Sequence, residues 1–401
     1  MCSYSPCGWH SHRTVIMGAM RTVLGVALCA VVFGGCLRVD FEGADGPFIS
    51  AVELSDPNSI TRCPVAVATA NDGNSYGIVW SENAEGERLI SLMFARVDST
   101  GKLVAGPTTI DTFDKSLLKV QLFPGTANSS EGFTTIYTCN GEDDRRHEVL
   151  QLDPEGDVLS LVNAGSYPGN SDVVANDSGF AIFSQRDFEM FMTTLDLNGQ
   201  PITVETPVAL PIFDAAGPTV ERTEVIHTST GYHVVGSTGW GAEAIYAHLD
   251  ESGVVLNALQ LDFGSHNSPQ IASDGEGRLA LAWFDGSVLT EYSISEGGAD
   301  GWIGVRQSIV PNRSASNQFH LSGGGGRVAI AWTSDADELL PQILVQSYEL
   351  GSGMAPESQL LSETTYAFSC PQVAFAGGDF SVVFRGAVDG SQRLFVDTDP
   401  E

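Results

Sequence analysis

A pattern of short β-rich segments recurs seven times along the 401-residue chain, and it predicts an all-β fold, a seven-bladed β-propeller with four strands in each blade. The closing residues of the seven copies lie between about 46 and 57 residues apart. Glycine and proline occur 44 and 18 times, which is typical of a chain with many turns. No long stretch shows the 3.6-residue periodicity of a helix. We therefore expect one large repeat domain with little helix.

Each copy contains a β-branched run, a polar turn, and an alternating apolar run that ends near an aromatic residue. The seven copies are Cys63 to Trp80, Val120 to Tyr137, Asp172 to Phe183, Thr223 to Val235, Pro269 to Trp283, Phe319 to Trp332 and Pro371 to Phe384. The two runs predict the first and second strands of a blade. Trp80, Trp283 and Trp332 recur at one position of the pattern, so we expect them to pack between blades.

The third run of four copies ends in an Asp-x-x-Gly turn. These turns are Asp98 to Gly101, Asp153 to Gly156, Asp196 to Gly199 and Asp250 to Gly253. The Asp side chain can accept hydrogen bonds from backbone amides two residues further on, and glycine supplies the positive φ that a bulged type I turn needs. A fourth strand follows each turn.

The last copy has only three strands, because residues 392–397 are followed by the end of the sequence. One β-like run, residues 48–54, remains unassigned upstream of the first copy. If residues 48–54 pair beside residues 391–397, the N-terminal strand completes the last blade and leaves no open sheet edge. The sequence thus predicts a closed propeller domain over residues 47–401.

The sequence is strongly acidic, with 19 Lys and Arg against 50 Asp and Glu and a net charge of -31. Such a charge repels the phosphates of nucleic acids and an anionic membrane surface. We therefore expect no nucleic-acid partner.

An apolar run over residues 22–33 follows Arg21 and precedes Gly34, Gly35 and Cys36. The run is too short for a transmembrane helix, which needs about 20 apolar residues, and it reads as a signal peptide. Gly34-Gly35-Cys36 resembles the bacterial lipobox, although Phe33 stands where Leu is usual. This resemblance implies a signal peptide over 1–35, a lipid anchor on Cys36 and a tether over 36–46. A start at Met17 or Met20 would give the signal peptide a more usual length. Simple secretion is the alternative.

Over residues 47–401 the repeat pattern resembles that of lipid-anchored bacterial β-propeller proteins, an uncharacterised lipoprotein type. The resemblance lies in the repeat and includes no catalytic motif. It implies an exported protein of the cell envelope, attached to the membrane through its lipid. Leu37 follows the lipidated cysteine where Asp would favour retention at the inner membrane, so the outer membrane is favoured.

In a propeller, the segments that enter the innermost strands and the loops that leave the second strands meet on one face around the channel. The candidate ligand residues on this face are Arg62, Asp172, Arg222, His266, Asn267, Asp285, Asn317 and Asp335. They indicate either a solvated loop face or a shallow site for a polar ligand.

No motif in the sequence commits it to an enzymatic activity, and no catalytic residue is assigned. The repeated boxes of sialidases are absent, and the six histidines after residue 36 lack the spacing of a zinc or haem site, so we expect no metal or cofactor. Asp285 and Asp335 form the best carboxylate pair for a glycosidase. The favoured function is a non-enzymatic binding or scaffold protein with a protein or glycan partner. The alternatives are a secreted carbohydrate-active enzyme and a purely structural envelope component.

Three cysteines lie beyond Cys36, and export would place them in an oxidising compartment. Cys63 and Cys370 each precede a proline at the start of an innermost strand, in blades that become neighbours when the ring closes. We predict a disulfide between them. The alternatives are a bridge between Cys63 and Cys139 and three separate buried thiols.

Overall fold

A computed structural model describes the chain from residue 52 to residue 397. Within that range the undescribed segments are 57–58, 85–87, 115, 126–130, 141–144, 168–170, 187–188, 211–219, 239–242, 263–268, 286–287, 296–306, 309–314, 335–341, 351–358, 361–365 and 389–390. The predicted signal peptide, the tether and Cys36 lie outside the described residues. Phe48–Glu401 forms one compact unit.

The described residues form antiparallel strands and no helix, which confirms the prediction of an all-β propeller. They therefore include no helix that could span a membrane.

Strand β1 (Val52–Glu53) comes first in the chain and belongs to the last sheet. Sheet 1 contains β2 (Ser59–Thr69), β3 (Ser75–Ala84), β4 (Ile90–Asp98) and β5 (Leu103–Phe113). Sheet 2 contains β6 (Leu117–Pro124), β7 (Phe133–Asn140), β8 (Arg145–Leu152) and β9 (Val158–Tyr167). Sheet 3 contains β10 (Ser171–Asn176), β11 (Gly179–Arg186), β12 (Glu189–Asp196) and β13 (Thr206–Val208).

The remaining sheets repeat the same order. Sheet 4 contains β14 (Val220–Thr228), β15 (Gly231–Thr238), β16 (Glu243–Leu249) and β17 (Val255–Asp262). Sheet 5 contains β18 (Gln270–Ser273), β19 (Arg278–Asp285), β20 (Val288–Ser295) and β21 (Gln307–Ser308). Sheet 6 contains β22 (Ala315–Gly324), β23 (Arg327–Ser334), β24 (Gln342–Glu349) and β25 (Gln359–Leu360). Sheet 7 contains β26 (Tyr366–Ala376), β27 (Asp379–Val388), β28 (Ser391–Asp397) and β1.

The N-terminal strand stands where the sequence predicts the missing strand of sheet 7. Val52 and Glu53 pair with Val396 and Phe395 of β28. The pairing continues for one more residue, because the backbone N–H of Leu54 donates to the carbonyl of Leu394 at 2.9 Å. Residues 48–51 of the predicted strand lie outside the described part.

The hydrophobic core lies between neighbouring sheets. Within the described residues, the buried apolar side chains form seven clusters, and each cluster joins one sheet to the next in the chain. The remaining cluster joins sheet 7 to sheet 1 through side chains such as Val396 and Tyr76. Trp80, Trp283 and Trp332 are at most 1% exposed and lie in three of these clusters, which confirms that they pack between sheets.

The four Asp-x-x-Gly turns form as the sequence predicts. Their Asp side chains accept hydrogen bonds from the backbone N–H groups two and four residues further on, at 2.8–3.0 Å. Their glycines have φ between 79° and 93°, a region that disfavours residues with a Cβ. These turns connect the third strand of a sheet to its outermost strand.

Candidate functional site

The innermost strands of the seven sheets surround a central channel and place one residue of each sheet at an equivalent position. The position is defined by pairing with the second strand of the same sheet. In every sheet, the residue on the innermost strand pairs with the residue that lies three positions after the first core residue of the second strand. The set is Ala66, Gln121, Asp172, Glu224, Gln270, His320 and Gln372, which pair with Val79, Ile136, Phe183, Val235, Ala282, Ala331 and Val383. We call these seven residues the channel ring. Six of its seven members are polar, and each of these six directly precedes a buried apolar residue of its strand.

Side chains of the channel ring bind the backbone of the next sheet. Gln121 accepts from the N–H of Val173 through Oε1 at 3.1 Å and donates to the carbonyl of Val173 through Nε2 at 2.7 Å. Gln270 makes the same kind of double contact, because Oε1 accepts from the N–H of Leu321 at 2.7 Å and Nε2 donates to the carbonyl of Phe319 at 2.7 Å.

Two further members continue this pattern. The Asp172 Oδ2 atom accepts from the N–H of Val225 at 2.7 Å, and the His320 Nδ1 atom accepts from the N–H of Val373 at 3.1 Å. In all four junctions the donor is the residue directly after the ring member of the next sheet. The reason is the free edge of each innermost strand, whose N–H groups face the channel and have no neighbouring strand to bind. The ring side chains satisfy these donors.

Asp172 is the most heavily bonded member of the channel ring. Its side chain is fully buried, and its Oδ1 atom accepts from Nε2 of Gln121 at 2.8 Å, from the N–H of Val173 at 2.9 Å and from Nζ of Lys119. With the bond from Val225, both carboxylate oxygens have protein donors. A carboxylate in this state is a structural acceptor and has no oxygen directed at solvent.

Lys119 and Glu224 flank Asp172 on the channel wall. Burial lowers the pKa of Lys119, but the charges of Asp172 and Glu224 outweigh that effect and hold the pKa above its ordinary value. Burial and the nearby charge of Asp172 raise the pKa of Glu224 to about 8, against the opposing effect of Lys119. The ammonium is therefore charged at neutral pH, and Glu224 is mostly a neutral carboxylic acid.

The channel contains a cavity of about 320 Å³ between the innermost strands. Lys119, Glu224, Gln270, His320 and Gln372 line it. Burial lowers the pKa of His320 to about 4, so this imidazole is neutral at physiological pH. Because its Nδ1 accepts a hydrogen bond, the proton of the neutral ring lies on Nε2.

A disulfide joins Cys63 on β2 to Cys370 on β26, with 6.2 Å between the Cα atoms. This is the pair that we predict from the sequence, and it connects the innermost strands of sheets 1 and 7. Cys139 is buried and takes no part in this disulfide. The disulfide therefore lies at the junction where β1 also completes the last sheet.

The described residues include only part of the predicted ligand face. Asp172 lies in the channel ring, and Arg62 is exposed on β2, where its Nε donates to Oδ1 of Asn83 at 2.7 Å. Arg222, Asp285 and Asn317 lie in β14, β19 and β22, with side chains outside the described part. His266, Asn267 and Asp335 lie outside the described residues altogether.

Asp172 is a candidate residue of the predicted ligand face, and the structure shows what its carboxylate contacts. Its Oδ2 atom binds the neighbouring strand at Val225, because the free strand edge requires an acceptor there, and its Oδ1 atom binds Val173 of its own strand. Sequence reasoning missed the other polar members of the channel ring and Lys119. Among the described residues, no group of three or more His, Cys, Asp or Glu side chains is arranged to hold a metal ion.

Comparison with known proteins supports the fold. The structure is similar to the β-propeller domain of Cps50 (Swd1) from Myceliophteria thermophila, with a TM-score of 0.51, 12% identity, and 87% and 99% of the two chains covered. It is also similar to the six-bladed lectin of Aleuria aurantia (TM-score 0.47, 10% identity, 75% and 94% covered). A third similar structure is the α-L-arabinofuranosidase Arb93A from Fusarium graminearum (TM-score 0.43, 11% identity, 88% and 98% covered).

No protein-family model and no curated protein matches the chain. At 12% identity, the similarity to the Cps50 propeller domain establishes the class, a β-propeller, and not a shared activity.

Proposed function

We propose that this chain is an exported, lipid-anchored propeller of a bacterial cell envelope that works by binding a partner, and that its channel performs no catalysis. In this proposal all seven sheets are blades of one closed ring. The seven inter-sheet clusters support the closed ring, since each sheet shares a core with both neighbours.

The state of Asp172 is the observation that carries this proposal. A glycosidase needs two carboxyl groups that face the substrate, one as acid and one as nucleophile or base. Among the described residues that line the channel cavity, Glu224 is the one carboxyl group. Asp172, its neighbour, is fully buried and has donors on both oxygens. Within the described part of the channel, Glu224 therefore has no second carboxylate that could act as the nucleophile or base of hydrolysis.

One observation favours the alternative, a carbohydrate-active enzyme that uses the channel face. Glu224 has a pKa near 8, and a carboxylic acid that stays protonated at neutral pH is suited to general-acid catalysis. A panel of glycans incubated with the purified domain tests this alternative. Turnover that is lost in Glu224→Gln and kept in Glu155→Gln, an exposed turn residue, would replace binding with catalysis as the function.

Export is supported by the disulfide, because such bonds persist in oxidising compartments outside the cytoplasm. A lipidated Cys36 would hold the propeller at the membrane, with outer-membrane placement favoured, through residues 36–46. Mass spectrometry of the native N-terminus tests this directly. We expect an acylated Cys36 and no residues 1–35, and an unmodified Leu37 terminus or an intact Met1 would refute the anchor.

Binding is tested by crosslinking the anchored protein in intact cells and identifying the attached molecules. We expect one protein or glycan partner to be recovered in proportion to the propeller. A version with Cys36→Ser, released from the membrane, is the matched control for partners that bind the membrane. Recovery of no specific partner from the anchored protein would favour the purely structural role.

A further inference from the structure

We propose that a groove between sheets 1 and 2 binds a basic side chain, Lys or Arg, of a partner protein. The inference rests on the proposed binding function and names the site and the chemistry of its partner. The groove opens on the entry face, which we define as the end of the ring where the first strand of each sheet begins. The pairs Ile90 with Phe113 and Asn140 with Arg145 lie at this end of sheets 1 and 2.

The groove is a cavity of about 430 Å³ with an aromatic floor. The ring of Phe113 on β5 stacks on the ring of Tyr137 on β7, with centroids 5.8 Å apart and planes 17° apart. Leu89, directly before β4, and Leu161 on β9 form apolar walls, and both are half exposed, at 50% and 52%. A long basic side chain fits such a groove, because its methylene stem packs on apolar surface while its charged end stays polar.

The polar lining of the groove has an excess of negative charge. Among the described residues, it contains the carboxylates of Asp111, Asp114 and Glu148 and one guanidinium, that of Arg146. The hydroxyl of Tyr137 donates to Asp111, which fixes this carboxylate beside the aromatic floor. A carboxylate next to an aromatic ring favours a cation on both counts, since the ring face also attracts positive charge.

The positive charge of Arg146 does not offset the burial of Glu148. Burial raises the pKa of Glu148 and so does the charge of Asp111, while Arg146 only partly opposes them. An entering ammonium or guanidinium would favour the ionised form of Glu148. Binding should therefore release a proton and strengthen as the pH rises through the pKa of this carboxyl group.

The net charge of the chain points to the same class of partner. With a formal charge of -31, the protein attracts cations over a distance and repels anions, so a basic protein surface approaches faster than a neutral or acidic one. A neutral sugar could stack on the aromatic floor and donate hydrogen bonds to the carboxylates, but it would not neutralise their charge. A basic side chain uses the floor, the walls and the charge together.

The test compares arginine amide with citrulline amide, which has nearly the same shape and no charge on its side chain. Binding to the complete folded domain is measured by NMR titration or calorimetry at two pH values and two salt concentrations. We expect arginine amide to bind at least 10-fold more tightly than citrulline amide. We also expect weaker binding at lower pH and at higher salt.

Three variants locate the site. Glu148→Gln and Asp111→Asn should each weaken arginine amide binding by about 10-fold, and Asn at 111 still accepts from the hydroxyl of Tyr137. Glu155→Gln is the control, because it removes the same charge from an exposed turn of the same sheet at the opposite face. Its affinity should match that of the wild type, and all variants should keep the wild-type melting temperature within a few degrees.

Two results would overturn the inference: equal affinity for arginine amide and citrulline amide, or an affinity that Glu148→Gln and Asp111→Asn leave unchanged. The crosslinking experiment separates this failure from failure of the proposed function. If Glu148→Gln captures the same partner in cells as the wild type, the propeller is still a binding protein, and the groove is not its site.

Discussion

Asp172 should contribute more to the free energy of unfolding than any other polar residue of the channel ring. Replacing it with Ala removes the acceptor for Lys119, Gln121 and Val225 at once. Loss of one partner from a buried ion pair costs about 3 to 5 kcal/mol, and each buried donor left without an acceptor costs about 1 to 3 kcal/mol. Lys119 is 34% exposed, and solvent reduces its share of this cost.

We therefore expect Asp172→Ala to lower the free energy of unfolding by about 3 to 5 kcal/mol. Asp172→Asn keeps one acceptor oxygen and loses the charge, and it should cost about 1 to 3 kcal/mol. The assay is equilibrium unfolding in urea at pH 7, followed by intrinsic tryptophan fluorescence, which reports on the buried tryptophans between the sheets.

A double-mutant cycle with Lys119→Met isolates the ion pair. Met has a similar length and no charge, so Lys119→Met with Asp172→Ala leaves no charge without its partner. The double variant should be at least about 1 kcal/mol more stable than the sum of the two single changes predicts. Strict additivity, or an Asp172→Ala variant within about 0.5 kcal/mol of the wild type, would refute the structural role of this carboxylate.

Three other predictions concern the closure of the ring and its response to acid. Reducing the Cys63–Cys370 disulfide, which spans 307 residues, should lower the free energy of unfolding by up to about 5 to 6 kcal/mol in the chain-entropy model; an identical urea midpoint with and without reductant would contradict this. Deleting residues 47–56 removes β1 and the buried Leu54, and it should cost at least about 3 kcal/mol; an unchanged melting temperature would refute the role of this strand. Burial lowers the pKa of His147 to about 4 and, together with the charges of His248 and His227, that of His233 to about 3. Because the unfolded chain takes up these protons first, each imidazole should reduce stability by up to about 1.4 kcal/mol per pH unit as the pH falls below about 6.5, and His147→Gln should flatten that slope.

The fold was accessible from the sequence because its signals are local and repeat. Each Asp-x-x-Gly turn is determined by four adjacent residues, and the repeat of the turns locates the outer strands of sheets 1 to 4. The disulfide pair followed from the same repeat, since the innermost strands of the first and last sheets become neighbours once the ring is closed. The short strands β21 and β25, two residues each, had no comparable turn signal and were not assigned.

The channel ring was not recognised, although its signal is present in the sequence. Gln121, Asp172, Glu224, Gln270 and His320 stand at the same place in the repeat, and each directly precedes a buried apolar residue. Their role depends on a donor in the next sheet, about 50 residues away in sequence. The pairing registers of both sheets decide whether this donor lies within hydrogen-bond distance. Reading each strand alone makes such a residue resemble a ligand-binding side chain.

The groove between sheets 1 and 2 was missed for a related reason. Its floor combines Phe113 from the outermost strand of sheet 1 with Tyr137 from the second strand of sheet 2. These strands follow each other in sequence only through the innermost strand β6, and nothing in the spacing of the two aromatic residues indicates that they stack. The repeat pattern predicts the strands that every sheet shares. A site between two sheets depends on side chains that are particular to those two sheets, and the repeat pattern does not predict them.

That distinction also separates the channel from the groove as places for function. The channel ring uses the same position in four sheets to bind the next strand, so a substitution that created a ligand site there would leave a backbone N–H without an acceptor. The groove residues Asp114, Arg146 and Leu161 are not part of the core shared by sheets 1 and 2. They lie on the outer side of these two sheets. Change at these positions can alter what the groove binds without weakening the contacts between sheets. We therefore expect recognition in this protein to reside between the outer strands and stability to reside around the channel.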